Sequence, residues 1–217
     1  MYVGLAMRKH VPTITSETLL AKADQMMEEN KLWILLVVED GILKGSVSKE
    51  DVRSALPSGA TTFSRHELSY LLSKMTVKDL IRRDIPTVTP EMEIEVAARI
   101  MYERHLDGLA VVDGKSRLKG YVSRRIMLSV LVEGLGLDLG GCRIAVEAED
   151  RKGVMAEICG IFFNRGVNIL STATFFHDSK RMLIFRIQTD NGQDMEQALR
   201  EAGYAIVGPE RFEREWA

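Results

Sequence analysis

Two short phrases concentrate the polar chemistry of this chain: GSVSKED over Gly45–Asp51 and GYVSRRI over Gly120–Ile126. In the first, Ser48 is followed one helical turn later by the carboxylate of Asp51. A serine there suits the start of a helix, where its oxygen can accept an otherwise unpaired backbone N–H, and the acid belongs in the first turn. In the second phrase Ser123 keeps its place, but Ile126 stands where the acid was. Arg8–Lys9 and Arg82–Arg83, with Lys49 and Arg124 beside the serines, can neutralise an anion, although each read singly is solvated surface. His10, His66, His105 and His177 have no metal-ligand spacing, and neither a nucleophile–base pair nor a phosphate-cradling glycine loop is visible. Cys142 and Cys159 lack CxxC spacing and read as small buried hydrophobes in a reducing compartment. The chain is read as no enzyme, with no catalytic residues, no catalytic cofactor and no metal site.

Composition sets the outer bounds. The chain has 217 residues, 46% hydrophobic and 28% charged, enough for two domains or several small ones. A net charge of −2 and the lack of a basic stripe speak against a nucleic-acid partner. The longest apolar run, Trp33–Val38, is far too short to cross a bilayer, and MYVGLAMRKH has neither the apolar core nor the cleavage site of a secretory signal. The expectation is a cytoplasmic protein with no membrane partner.

The phrases belong to a longer repeat that positions them. VPTIT at Val11–Thr15 returns as IPTVT at Ile85–Thr89, LWILLVV at Leu32–Val38 as LDGLAVV at Leu106–Val112, and LKGSVS at Leu43–Ser48 as LKGYVS at Leu118–Ser123. Across Val11–Ser48, about sixteen of roughly 38 positions are identical once one residue is inserted in a turn. Thr15 and Thr89 read as N-caps, with Pro90 at the first helical position. Apolar stripes at Leu20, Ala23, Met27 and at Ile94, Ala97, Met101 predict a helix after each. The runs WILLVV and GLAVV predict buried strands, GILKG and DGKSRLKG turns, and Ser48 and Ser123 the caps of a second helix. Each copy is thus β-α-β-β-α, spanning 1–56 and 75–134. Neither buries enough surface alone, so the two should pack as a pseudo-twofold pair. Between them lies a 57–74 connector with a loop, PSGATT, and a short helix opened by the capping box Ser64/Glu67.

These residues resemble the cystathionine β-synthase (CBS) domain, which occurs as a tandem pair and carries a strand of the LPVVD type followed by G-h-h-[ST]-x-x-[DN]. The signature reads Leu35–Glu39 with Gly45, Ser48 and Asp51, and again Leu109–Asp113 with Gly120 and Ser123; Leu36 and Ala110 replace the family's proline. The resemblance implies a nucleotide cleft for AMP, ADP, ATP or S-adenosylmethionine as effector. Asp51 would accept both ribose hydroxyls, Ser48 and the helix start would meet a phosphate, and Ile34 and Leu35 would wall the adenine. Carried over residue by residue, the first site uses Tyr2, Thr13, Ile34, Leu35, Ser48 and Asp51. A weaker second pocket uses Thr76, Thr87, Leu109, Ser123 and Arg124. The alternative is that the serines only cap helices, leaving a ligand-free scaffold.

Beyond the glycine-rich linker at 135–141, within EGLGLDLGG, a third module spans 142–213. Alternation at Ile144, Val146, Ala148, a helix ended by Gly166, a hairpin from VNILSTATFF and MLIFRIQT, a helix closed by Gly203 and a last strand in YAIVG give β-α-β-β-α-β, a ferredoxin-like order. AEDRKGVMAEI followed by RGVNIL resembles the ACT domain, through Asp150, Gly153 and Gly166-Val167-Asn168-Ile169. That resemblance implies side-by-side pairing into a homodimer and either an amino acid at the shared interface, held by Asp150, Gly153, Asn168 and Ile169, or dimerisation alone. The order CBS–CBS–ACT resembles the bacterial acetoin-utilisation family, implying an α+β regulatory protein whose client is unnamed.

Overall fold

The computed structural model describes residues 1–57, 64–177 and 180–211, which form two compact units, Met1–Met127 and Leu128–Ala217. Most of the PSGATT loop and the end of the third module, from residue 212, lie outside the described residues.

In the first repeat a helical turn, α1 (Val3–Ala6), precedes β1 (Thr13–Ile14), α2 (Leu20–Asn30), β2 (Ile34–Glu39), β3 (Ile42–Ser48) and α3 (Lys49–Ala55). The connector helix α4 (Arg65–Leu72) starts at the expected box: Ser64 N–H donates to Glu67 Oε2 at 2.8 Å and Glu67 N–H to Ser64 Oγ at 3.3 Å. The second repeat has a 3-10 turn (Lys78–Leu80), β4 (Thr87–Val88), α5 (Ile94–Glu103), β5 (Gly108–Val112), β6 (Leu118–Ser123) and α6 (Arg124–Gly134), the last crossing the division between units. Each repeat forms a three-stranded sheet, β1-β2-β3 or β4-β5-β6, parallel then antiparallel. A register shift falls at the same place in both, Val37/Val38 and Val111/Val112. Leu20, Ala23 and Met27 on α2 and Val52 on α3 bury against Leu35, Val37 and Val47. Truncating a fully buried residue such as Met27 to Ala would cost about 2–5 kcal/mol.

The helix starts differ from the sequence reading. Thr15 and Thr89 do not cap α2 and α5, which begin later, at Leu20 and Ile94. Thr15 closes a turn instead, its N–H donating to Thr18 Oγ1 at 3.0 Å. The first N–H groups of these helices are satisfied across the repeats: Leu20 N–H donates to the Met75 carbonyl and Ile94 N–H to the Met1 carbonyl, each at 2.9 Å. A backbone partner supplied by the other copy replaces a side-chain cap, and it holds Leu19 and Glu93 extended as bridge partners of Thr76 and Tyr2.

This exchange is reciprocal. Arg82, leading into the second repeat, pairs through two backbone hydrogen bonds with Ser46 on the edge of β3, at 3.0 and 2.9 Å. Arg8, leading into the first, pairs the same way with Tyr121 on β6. The glycines of the repeated phrase stand beneath these crossings. A Cβ at Gly45, where φ is +152°, would lie 2.3 Å from the Arg82 carbonyl oxygen, and one at Gly120 would lie 2.7 Å from that of Arg8.

The second unit has β7 (Cys142–Ala148), α7 (Val154–Asn164), β8 (Ile169–His177), β9 (Lys180–Ile187), α8 (Gly192–Glu201) and β10 (Ala205–Ile206). Its antiparallel sheet runs β10-β7-β9-β8, so each helix joins two strands that have another strand between them. Ile144, Val146, Leu183, Phe185 and Ile187 meet α7 and α8 on that face, where Phe162 and Phe185 pack edge to face with centroids 5.2 Å apart.

Candidate functional site

Successive side chains of a strand point to opposite faces, so the register sorts the predicted residues. Ile34 opposes Ser48, and Leu36 opposes both Ser46 and Thr13. Thr13, Ile34, Leu36, Ser46 and Ser48 therefore share the face turned away from α2 and α3. Leu35 takes the other face and is fully buried in the core under the helices. Its side chain therefore does not stand beside Ile34, and Leu36 shares the Ile34 face instead. In the second repeat Leu109 is likewise buried in the core, while Thr87, Gly108, Ala110, Tyr121 and Ser123 share the opposite face.

At the end of β3, Ser48 is the N-cap of α3. Its hydroxyl accepts from Asp51 N–H at 3.1 Å and donates to Asp51 Oδ2 at 2.7 Å. The Arg82 guanidinium, delivered by the backbone pairing with Ser46, lies 2.9 Å from Oδ1 and 2.8 Å from Oδ2 of the same carboxylate. Arg82 first, then Ser48, holds the Asp51 carboxyl below its ordinary value of 3.8, so the group is anionic near neutrality. In the second repeat Ser123 Oγ accepts from Ile126 N–H at 3.3 Å, a cap without an acid. Arg124 turns back to its own strand entrance, donating to the Leu106 carbonyl at 3.0 Å and pairing with Asp107 at 3.2 Å.

Tyr2 and Thr76 are exchanged relative to the sequence assignment. Tyr2 bridges Glu93, before the second repeat's helix, and Thr76 bridges Leu19, before the first. A repeat compared only with itself cannot show that each lead-in serves the other copy. The same crossing hid the pairing of Arg82 with Asp51. Tyr121 was also missed: its hydroxyl lies 2.2 Å from where a Gly108 Cβ would be. Gly108 and Tyr121 correspond to Ile34 and Ser46, so the large and small residues have traded strands. Burial, with a smaller contribution from the Asp107 charge, pushes the Tyr121 hydroxyl up to about 12.

In the second unit Gly153, at φ +90°, precedes α7 beside a cavity of about 360 Å³ lined by Asp150, Arg151, Lys152, Gly153 and Arg181 among others. Asp150 pairs with Arg181, whose Nε is buried without a partner. Arg151 donates to Glu157 at 2.7 Å and Tyr204 Oη donates to the same carboxylate at 2.6 Å, holding Glu157 down at about 2. Asn168 is exposed, with Nδ2 3.4 Å from Gln188 Oε1, and neither it nor Ile169 lines that cavity within one chain. Among the described residues no helix is long and apolar enough to cross a membrane.

Residues 3–58 and 77–133 match the CBS domain, more than half of the chain. The chain belongs to the CBS-domain family. Residues 144–203 of this CBS protein match the ACT domain of the AHAS small-subunit type, so a tandem CBS pair is followed by an ACT-like domain. A CBS domain-containing protein of Dictyostelium discoideum is 30% identical over 130 residues, 59% of this chain and 90% of that protein. A Vibrio cholerae protein described as AcuB, for acetoin utilization, superposes with a TM-score of 0.53 at 22% identity, covering 64% of this chain and 96% of its own. The CBS-pair protein CBSX2, solved in complex with AMP, superposes at 0.50 with 26% identity over 61% of this chain and 96% of that one. CBS-pair proteins are generally regulatory.

Proposed function

We propose that this chain is a non-catalytic sensor that binds an adenosine ligand (AMP, ADP, ATP or S-adenosylmethionine) on the cleft face of the first repeat. Asp51 would take the ribose hydroxyls, with Thr13, Ile34 and Ser48 beside it. The observation that carries this reading is the anionic Asp51 at the end of a face shared by Thr13, Ile34 and Ser48, against Ile126 in the second copy. CBSX2 with AMP bound supports the ligand class. The pocket around Thr87, Ser123 and Arg124 is the weaker of the two. The ACT-like domain would pair two chains into a homodimer, with an amino acid at the shared interface or none. The acetoin-utilization name of the Vibrio cholerae relative speaks, at 22% identity, to the fold alone.

A scaffold without ligand is the second reading. The observation that favours it is that both oxygens of Asp51 are already engaged, by Arg82 and Ser48. Isothermal titration with AMP separates the two. Hydrogen bonds to a charged group contribute about 1.5–3 kcal/mol each and 1.4 kcal/mol is a decade of affinity, so Asp51→Ala should weaken binding at least about tenfold even after the Arg82 tie is discounted. Ser123→Ala should change little. Two equally tight sites per chain, or an Asp51→Ala variant that binds normally, would sink the sensor reading in this form.

A further inference from the structure

The geometry points to Arg82 as the residue that makes the first cleft selective for adenosine ligands bearing an anionic phosphate over the uncharged nucleoside. This inference rests on the proposal above, that a ribose sits on Asp51. Arg82 comes from the other repeat, and its guanidinium contacts both oxygens that a ribose diol would use. An incoming ribose therefore competes directly with the arginine. The backbone at Arg82 cannot retreat, because two hydrogen bonds fix it to Ser46 and its carbonyl lies directly on Gly45. Only the exposed side chain can swing aside, and its charge then stays within one side-chain length of the bound ligand.

The ligand decides whether that displacement is compensated. A nucleoside exchanges an ion pair for neutral hydroxyl donors on Asp51 and leaves Arg82 without its carboxylate. A nucleotide offers the freed guanidinium a phosphate, which it can grip through two parallel N–H donors. The two cations of α3 are otherwise occupied: Lys49 pairs with Glu28 at 3.0 Å, and Arg53 holds Glu28 and Asp24. Besides Asp51, the charge acting on Arg82 is that of Glu50, on the solvent side of α3. In the second repeat Ile126 replaces the acid, so Arg8, the counterpart of Arg82, meets no carboxylate at that position and no such exchange can operate.

AMP and adenosine share base and ribose and differ only in the phosphate, so their affinity ratio for the full chain is the readout. Wild type should bind AMP at least about tenfold more tightly than adenosine. In Arg82→Gln, AMP should weaken and adenosine should tighten, because Asp51 is released, bringing the ratio to within about threefold. Arg82→Lys keeps a point charge without the planar fork and should fall between. A melting curve of Arg82→Gln close to wild type is expected, since the altered atoms are exposed and the backbone pairing remains. Equal binding of AMP and adenosine by wild type overturns the role of Arg82 while leaving the cleft standing. A ratio unchanged in Arg82→Gln, or loss of both ligands in that variant, overturns it as well. No binding of either ligand by wild type removes the cleft itself.

Discussion

Gly45→Ala tests whether the repeated phrase owes its glycine to the crossing of the two repeats. Alanine at φ +152° occupies a backbone region that L side chains rarely adopt, a strain of order 1–3 kcal/mol. Its Cβ would also stand 2.3 Å from the Arg82 carbonyl oxygen and 2.8 Å from Ile81 Cγ2, so the lead-in must shift. Moving it disrupts the two Arg82–Ser46 backbone hydrogen bonds, worth about 1 kcal/mol each in net terms. Together these terms give about 3–5 kcal/mol, or roughly 10–20 °C in the melting of a unit of this size. Gly41→Ala supplies the control, because φ is +76° there but nothing lies within 4 Å, leaving strain without a clash. Differential scanning calorimetry on the two variants separates the contributions, and Gly45→Ala should also loosen AMP through the displaced Arg82. Equal melting of Gly45→Ala and Gly41→Ala would refute the crossing as the reason for the glycine.

Gly108 and Tyr121 should behave as a coupled pair. Gly108→Ile and Tyr121→Ser, which install the first repeat's residues, should each destabilise, while the double variant recovers a coupling of roughly 0.5–3 kcal/mol in denaturant titrations; strict additivity would show that the two do not share one space. In the ACT-like domain the Glu157 carboxyl sits at about 2 rather than its ordinary 4.5. A depressed carboxyl contributes stability that is fully present above pH 4.5 and is lost as the pH falls towards 2. Glu157→Gln should therefore flatten the wild-type loss of melting temperature over that window at low salt, and an unchanged slope would mean that Arg151 and Tyr204 do not hold the carboxylate in solution.

The repeats, their strands and the β-α-β-β-α-β third module were legible in the sequence because apolar periodicity and turn residues are local signals. Met27 and Met101 fall in the core where their spacing puts them. Non-local pairings were not legible. Thr15 and Thr89 looked like caps because nothing near them in sequence shows that the carbonyls of Met75 and Met1 would do the capping. Leu35 was read as a wall because a run such as ILLVV carries no alternation to say which side chain faces the core. Asp51 follows from its motif and Arg82 from its basic pair, but not their contact, since the two lie 31 residues apart in different copies.

The exchange of lead-ins also has a consequence in time. A chain leaves the ribosome from its N-terminus, so the strand pairing for β6 is waiting in Met1–Arg8 long before β6 exists. The partner of β3 arrives late: the 31 residues from Asp51 to Arg82 take roughly 2–6 s to synthesise. For that interval the edge of β3 is bare, Asp51 has no arginine and α2 lacks the carbonyl that starts it. An uncovered strand edge is an invitation to pair with another chain. Nascent copies on one message are the nearest strands on offer, and the same lead-in that closes the cleft within a chain could, in that window, be supplied by a neighbour.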